Sequence, residues 1–175
     1  MKLGEYMEKD LVSVRHVDPA ELQPGELAHL VREAVEKENA KVVVIDSLNG
    51  YLNAVPEEKF LLLHLHELLT YLGQTGVATL LVYAQHGLVG LNMQTAVDVS
   101  YLADCVILMR YFETQGQLRK AISVVKKRSG KHETSIRDYS MDAGGIRVGP
   151  QLEQYRGLLT GVPTIVPPQK EVNDL

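Results

Sequence analysis

Cysteine and tryptophan are almost missing from this sequence: its 175 residues contain a single cysteine, Cys105, and no tryptophan. One cysteine excludes an internal disulfide bond, so we expect the protein in the reducing cytoplasm. Cys105 falls within an apolar stretch, which predicts a core position. No apolar stretch reaches membrane-spanning length, and residues 1–10 lack the apolar segment of a signal peptide, so no membrane partner is expected.

An excess of positive charge is also missing. Eighteen Lys and Arg residues stand against 22 Asp and Glu residues, which gives a net charge of -4. Proteins that bind nucleic acid need a cationic surface. Residues 86–98, the loop that would face DNA in a recombinase-like protein, contain no Lys or Arg. Nucleic acid is therefore not expected as a partner, while the composition still allows a local basic patch.

The phosphate-loop pattern G-x-x-x-x-G-K-[ST] does not occur in these 175 residues. The only Gly-Lys pair is Gly130-Lys131, which is followed by His132 and has Val125 where the first glycine should stand. In a phosphate loop, backbone N–H groups, the lysine and the hydroxyl together hold phosphate and metal. The segment around Gly130 cannot supply that arrangement.

The first half of the sequence alternates strand and helix patterns. Residues 42–46 and 77–84 are continuous apolar runs, typical of parallel strands buried on both faces. Residues 24–39 have one apolar stripe, while residues 57–73 carry apolar side chains around much of the helix and should be heavily buried. The alternation in 11–18 predicts a further strand. This order predicts right-handed βαβ crossovers and a parallel sheet.

The second half of the sequence has strand patterns only. Residues 104–112 and 118–127 flank the hairpin turn ETQGQ, and further strands are predicted in 133–141 and in 144–148. We expect these strands to form an antiparallel extension on one side of the parallel core. The predicted domain covers residues 1–162, and the proline-rich tail 163–175 should be mostly non-regular.

Polar residues follow both predicted parallel strands. Asp46 and Ser47 follow the first strand, and Gln85 and His86 follow the second. Ligands of open α/β sheets bind at the carboxyl ends of the strands, so an acid and an amide at that edge would suit a magnesium–phosphate ligand. Alternatively, Asp46 caps the next turn or helix, and Gln85 only begins a long connection.

The sequence also contains two groups of basic and imidazole side chains, one in a predicted helix and one at a predicted hairpin tip. His64 and His66 lie two residues apart on a predicted helix and so point about 200° apart, which favours two ordinary helix histidines over a metal site. The segment VVKKRSGKH contains Lys126, Lys127, Arg128, Lys131 and His132 at one hairpin tip. Such a group is either a solvated turn or a means of reaching a phosphate held elsewhere.

The ordered segments VVVIDS, TLLVYAQH, YLADCVILMRYF, ISVVKKRSGKHE and GGIRV resemble the RecA-superfamily ATPases, and most closely the KaiC-like branch. The resemblance covers roughly residues 10 to 162. It implies an α/β fold with a RecA-like parallel core sheet flanked by helices and an antiparallel β extension. The first strand–phosphate loop–helix unit of that fold has no match in these residues.

The resemblance also implies roles for individual residues. Residues 42–46 match the Walker B strand, so Asp46, with Ser47, would serve the Mg²⁺ of bound ATP, and Gln85 would be a polar sensor near the γ-phosphate. The basic residues of the hairpin tip would act on the nucleotide of a neighbouring subunit: Lys126, Lys127, Arg128 and His132. ATP and Mg²⁺ are thus the implied cofactors.

Two functions therefore fit the sequence better than DNA binding does. The first is a KaiC-like ATPase domain fragment or truncated paralogue, inactive alone because it lacks Walker A. The second is a non-enzymatic assembly or signalling module with a degenerate RecA-like fold. In the family, the strand before the phosphate loop lies between those matching 77–84 and 104–112. Its absence would leave sheet edges unpaired, so we expect a homo-oligomer or a complex with a Walker-A-bearing subunit.

Overall fold

A computed structural model describes residues 3–18, 24–54, 58–84, 100–160 and 162–166. The chain divides into two compact units. The first consists of Lys2–Gln85 with Ala96–Leu102, and the second consists for the most part of Ala103–Leu175. We call them the parallel unit and the antiparallel unit, after the direction of the strand pairs that each contains.

Within the described residues, the parallel unit contains two strands, several helices and one short 3-10 helix. Its elements are α1 (Leu3–Met7), α2 (Pro24–Glu36), β1 (Val42–Asp46), α3 (Leu48–Ala54), α4 (Glu58–Gln74), β2 (Ala78–Val82) and the 3-10 helix Ser100–Leu102. β1 pairs in parallel with β2, from Val42 opposite Ala78 to Asp46 opposite Val82. The predicted parallel strands and the helices between them are confirmed, while the short helix α3 was not predicted.

The strand predicted for residues 11–18 is wrong, because the structure has a bend and irregular backbone there. Alternating apolar residues form a strand only where a neighbouring strand can satisfy the backbone groups, and none of the described strands pairs with this segment. Leu11 and Val14 are correspondingly exposed, at 68% and 60%, while Val12 and Val17 are half-buried. None of the described helices combines the length and apolar content that a bilayer-spanning helix needs.

Helices α2 and α4 form the core of the parallel unit together with one face of the strands. Leu68, Leu72 and Val77 form a buried cluster, against which Val31 of α2 and Val43 of β1 pack. A second cluster joins α3 to α4 and consists of Leu48, Tyr51, Leu61 and Leu65. The prediction that α4 is buried over most of its circumference is wrong: Phe60 is 58% exposed and Leu63 is 53% exposed. The helix buries one stripe only.

The two-stranded parallel sheet is covered on one face. The side chains of Val43, Ile45 and Leu81 are half-buried, whereas the alternate residues of both strands are exposed. The exposed residues are Val42 at 57%, Val44 at 58%, Leu80 at 54% and Val82 at 42%. The prediction of strands buried on both faces is therefore wrong within this unit, because successive side chains of a strand point to opposite faces and the helices cover one.

The described part of the antiparallel unit forms two antiparallel sheets. Its strands are β3 (Cys105–Thr114), β4 (Gln117–Lys127), β5 (Arg137–Asp142), β6 (Gly145–Gln151), β7 (Tyr155–Arg156) and β8 (Thr164–Ile165). The first four form a sheet in sequence order, and β7 pairs with β8. The predicted antiparallel strands are confirmed, and β8 adds a short strand within the tail that was expected to be mostly non-regular.

The hairpin between β3 and β4 turns at Gln115 and Gly116, which have φ angles of 51° and 70°. Positive φ at both central residues is the geometry of the tight turn whose twist matches that of the flanking strands. Only glycine adopts this conformation without cost, which explains the glycine of the ETQGQ segment. The turn fixes the register of the two longest strands.

One face of the four-stranded sheet is covered by the segment that follows β6. Phe112 and Ala121 of the sheet form a buried cluster with Leu152 and Leu158 of that segment. Cys105 lies on the other face of β3, because alternate residues point the same way and Ile107 on that face is 58% exposed. The prediction of a core cysteine is wrong, since Cys105 is exposed.

Candidate functional site

Asp46 is the last residue of β1, and the chain enters α3 two residues later. The side chain of Asp46 is exposed and that of Ser47 is half-buried. The peptide bond between them is cis. Leu48 is fully buried beside Tyr51 in the core, so the turn that carries the carboxylate is anchored directly behind it. The parallel strand thus presents an acid and a hydroxyl at its carboxyl end, as predicted from the sequence.

Asn49 was not identified from the sequence, yet it joins this turn to the end of β2. The Nδ2 of Asn49 donates a hydrogen bond to the carbonyl of Ala84 at 2.6 Å. Its Oδ1 accepts one from the backbone N–H of Ala84 at 2.7 Å. An asparagine just after a strand is common in turns and caps, so the D-S-L-N spacing alone gives no indication of this partner.

The basic residues lie at the end of β4 and in the loop that follows it. Arg128 Nη1 is 3.0 Å from Asp104 Oδ1, and 59% of the arginine side chain is exposed. The backbone N–H of Arg128 also donates to the carbonyl of Asp104 at 2.7 Å. Lys127 Nζ donates to the carbonyl of Lys131 at 3.1 Å. Contacts within the loop and with Asp104 therefore hold its backbone, while much of the Arg128 side chain reaches solvent.

Glu133 stabilises the next part of the same loop. Its Oε1 accepts hydrogen bonds from the hydroxyl of Ser135 at 2.7 Å and from the Ser135 backbone N–H at 3.0 Å. Arg137 Nη2 lies 3.2 Å from Glu133 Oε2. The two hydrogen bonds from Ser135, followed by the hydrogen bond from Arg137, lower the pKa of Glu133 to about 2. The carboxylate is thus charged at neutral pH and braces the loop between β4 and β5.

The structure groups the predicted residues in two places. Asp46 and Ser47 are consecutive at the end of β1 in the parallel unit. The basic residues are close together in sequence in the antiparallel unit: Lys126, Lys127, Arg128 and His132. Gln85, the predicted γ-phosphate sensor, lies outside the described residues, as does His86. Each group is thus placed by the local structure of its own unit.

The two histidines of α4 have separate surroundings. His64 Nδ1 is 4.0 Å from Glu67 Oε2. His66 instead lines a shallow, largely apolar hollow with Leu62, Leu63 and Tyr101. In the part of the chain that the structure describes, no three His, Cys, Asp or Glu side chains are grouped to hold a metal ion. A Mg²⁺ ion bound with a nucleotide needs no such group, because one or two carboxylates and the phosphates suffice. Asp46 fits that requirement.

Comparison with known proteins identifies relatives that carry the same family name. The family described as "ATPase: KaiC" matches residues 4–153. The circadian clock protein KaiC3 of Synechocystis sp. is 28% identical over 134 residues, which are 77% of this chain and 26% of that protein. The circadian clock oscillator protein KaiC of Picosynechococcus sp. is 22% identical over 135 residues, again 77% of this chain and 26% of the relative. The chain thus spans about a quarter of the length of these relatives.

A solved structure gives the same result for the fold. The crystal structure of a KaiC-like protein from the archaeon Pyrococcus horikoshii matches 85% of this chain and 64% of its own, with a TM-score of 0.71 and 22% identity. This likeness confirms the predicted fold class, with parallel and antiparallel strands in one α/β architecture. Since the family match covers most of the sequence, the chain belongs to the KaiC ATPase family.

Proposed function

We propose that this chain is the part of a KaiC-family ATPase domain that serves the metal of a bound nucleotide and acts on a neighbouring subunit, without hydrolysing ATP alone. The observation that carries the proposal is the placement of Asp46: an exposed carboxylate ends a parallel strand, and Ser47 follows it. In α/β proteins this is the edge of the sheet where ligands bind.

Asp46 is proposed to hold Mg²⁺ directly or through water, with Ser47 beside it. When bound, the ion would neutralise charge on the ATP phosphates and help to orient them. Gln85 is proposed as the sensor of the γ-phosphate, because an amide can hydrogen-bond a phosphate oxygen or the attacking water. It follows Ala84, whose backbone is held by Asn49.

The chain is proposed to be inactive alone because no phosphate loop occurs in its 175 residues. Most of the binding energy for a triphosphate comes from backbone N–H groups at a helix N-terminus and from the phosphate-loop lysine. Asp46 and Gln85 offer too few contacts to replace them. A second KaiC-family subunit with a phosphate loop is therefore the proposed source of bound nucleotide, and a cytoplasmic location is part of the proposal.

The basic residues are proposed to reach that subunit's nucleotide. Lys126, Lys127, Arg128 and His132 lie at the end of β4 and in the following loop, and the guanidinium of Arg128 is well exposed. Arginine suits this role because its planar donors match phosphate oxygens in pairs. Its contact with Asp104 is an exposed ion pair, which a phosphate can displace at little cost.

The test is an ATPase assay of the chain alone and after mixing with a KaiC-family subunit that has a phosphate loop. We expect background hydrolysis from the chain alone and faster hydrolysis in the mixture. Arg128→Ala should abolish the stimulation with a nearly unchanged melting temperature. Arg147→Ala is the matched control, because Arg147 is also an exposed arginine, 3.0 Å from Asp142, in the same unit.

Asp46→Asn tests the metal role in the same mixture, where it should also remove the stimulation. Two results would contradict the proposal. One is tight ATP binding by the chain alone in calorimetry, with turnover that Asp46→Asn abolishes. The other is a large loss of stability in Arg128→Ala, which would make Arg128 a structural residue.

A non-enzymatic assembly module is the second candidate, favoured by the sheet edges. Among the described strands, β2 pairs only with β1, and β3 pairs only with β4. Long apolar edges such as that of β3 pair readily with another chain. We therefore propose a dimer or higher oligomer, measured by light scattering after size exclusion. A monodisperse species near 19.5 kDa at micromolar concentrations would rule it out.

A further inference from the structure

The parallel ladder between β1 and β2 ends where both strands end. Asp46 opposite Val82 is its last pair. Beyond this point the chain of β1 turns away into α3, which begins at Leu48. Ala84, two residues past the last pair, therefore has no residue of β1 opposite it. Its backbone N–H and C=O are nevertheless both bonded, to one side chain.

That side chain is the carboxamide of Asn49, which has the same hydrogen-bonding groups as a peptide unit. Its Nδ2 donates to the Ala84 carbonyl at 2.6 Å, and its Oδ1 accepts from the Ala84 N–H at 2.7 Å. Only asparagine and glutamine carry a donor and an acceptor on one planar amide, and glutamine is longer by a methylene group. Asn49 thus satisfies both backbone groups of Ala84 beyond the end of β1.

We propose that Asn49 is a positioning residue that holds the segment just after β2 against the first turn of α3. The turn carries Asp46, Ser47 and Asn49 within four consecutive residues, and Leu48 anchors it in the core. The end of β2 and the acid-bearing turn are therefore joined by two hydrogen bonds that Asn49 supplies. The consequence for ATP hydrolysis rests on the proposed function, whereas the link itself does not.

Amide hydrogen exchange, followed by NMR on the full chain, tests the link. In Asn49→Leu, which keeps the size but loses both hydrogen bonds, the Ala84 amide should exchange about fivefold faster or more. The amides of Leu80 and Leu81 should be unaffected, while the Asp46 and Ser47 signals should shift. Asn49→Asp keeps an acceptor for the Ala84 N–H but puts a carboxylate oxygen against the Ala84 carbonyl, so it should restore the protection only in part.

Thr70→Val is the control, because it removes another side chain–backbone hydrogen bond of the parallel unit, from the Thr70 hydroxyl to the carbonyl of His66. It should leave the Ala84 amide unchanged. Unchanged Ala84 exchange in Asn49→Leu would overturn the inference. Equal acceleration at Leu80, Leu81 and Ala84 would also overturn it, since Asn49 would then only stabilise the unit as a whole.

A second measurement separates this inference from the proposed function. When the chain is titrated into a fixed amount of a KaiC-family subunit with a phosphate loop, Asn49→Leu should lower the plateau ATPase rate several-fold. The half-saturating concentration should stay within about twofold, whereas partial unfolding would raise it and leave the plateau unchanged. If the unmodified chain gives no stimulation, the proposed function fails, and the exchange result alone decides whether Asn49 positions the turn.

Discussion

The two units of the molecule hold their strands together in different ways. In the antiparallel unit, β3 and β4 have 10 and 11 residues and are joined by a tight turn. In the parallel unit, β1 and β2 have five residues each, and their connection runs through α3 and α4. Parallel strands cannot be joined by a tight turn, so their alignment depends on the packing of the crossover helices.

This difference determines how each part of the candidate site is positioned. The turn with Asp46 depends on the core of the parallel unit, through Leu48 and its cluster with α4, and on the hydrogen bonds from Asn49 to Ala84. The loop with Arg128 depends instead on contacts within the loop and with Asp104, which immediately precedes β3. Core substitutions and the loss of Asn49 should therefore disturb the acid, and polar substitutions near Asp104 should disturb the loop.

The largest effect is expected from Leu65→Ala in α4. Leu65 is 2% exposed and packs in the cluster behind the Asp46 turn. Its truncation should lower the free energy of unfolding by about 2–5 kcal/mol, because it removes buried apolar surface and leaves a cavity. Leu63→Ala is the matched control on the same helix: Leu63 is 53% exposed, so the change should stay within about 0.5 kcal/mol.

Denaturant unfolding measures these free energies, and amide exchange locates the loss. We expect Leu65→Ala to reduce protection in β1 and β2 more than in β3 and β4, because the cluster lies in the parallel unit. Equal loss of protection in all four strands would show that the two units unfold together. The two units would then not differ in stability, contrary to this prediction.

The next largest change in stability is expected from alanine substitutions at one glycine in each unit. Gly157 has a φ of +73°, and an added Cβ would lie 2.3 Å from the carbonyl oxygen of Val162. Gly157→Ala should therefore cost about 2 kcal/mol or more, through backbone strain and overlap. Gly73 lies in α4 with nothing near an added Cβ, so Gly73→Ala should stabilise by about 0.5–1 kcal/mol. Thermal unfolding of both variants checks the opposite signs.

The sequence predicted the antiparallel unit best, because its structure is mostly local. The turn at Gln115 and Gly116 fixes the register of β3 and β4 from Thr114 to Ile107, beyond which a bulge shifts it. The position of Asp46 was also predictable, since four β-forming residues precede it directly. Both depend on neighbours in sequence, which is where pattern reasoning works.

Features that depend on distant partners could not be predicted. Residues 11–18 alternate as a strand does, but no described strand pairs with them. Asn49 bonds to Ala84, 35 residues away, and nothing in its local sequence indicates this partner. The exposure of Cys105 follows from which face of β3 the later segment with Leu152 covers. Tertiary packing decided each of these cases.

A smaller change in the free energy of unfolding is expected when polar contacts of the antiparallel unit are removed. Arg119 Nη2 lies 2.6 Å from Asp138 Oδ2, with both side chains 29% exposed. The guanidinium also lies over the rings of Phe112 and Tyr155. The hydrogen bond to Asp138 raises the pKa of Arg119. A double-mutant cycle with Arg119→Met and Asp138→Asn should give a coupling of about 1 kcal/mol. A coupling near zero would leave the apolar cluster as the main source of stability.

The smallest effect is expected in the loop between β4 and β5 and is measured through the pKa of Glu133. Hydrogen bonds from Ser135 and Arg137 lower its pKa from 4.5 to about 2. Because the folded pKa is depressed, the contribution of these contacts is fully present above pH 4.5 and is lost as the pH falls through about 2. An NMR titration of the Glu133 carboxyl should show this low midpoint.

Ser135→Ala should move that midpoint upward, because it removes the hydroxyl that contributes most to the shift. Ser140→Ala is a suitable control, since Ser140 lies on β5 away from the Glu133 contacts. A midpoint of Glu133 near 4.5 would show that the loop is not braced in solution, and the basic residues would then lack the local support that distinguishes them from the Asp46 turn.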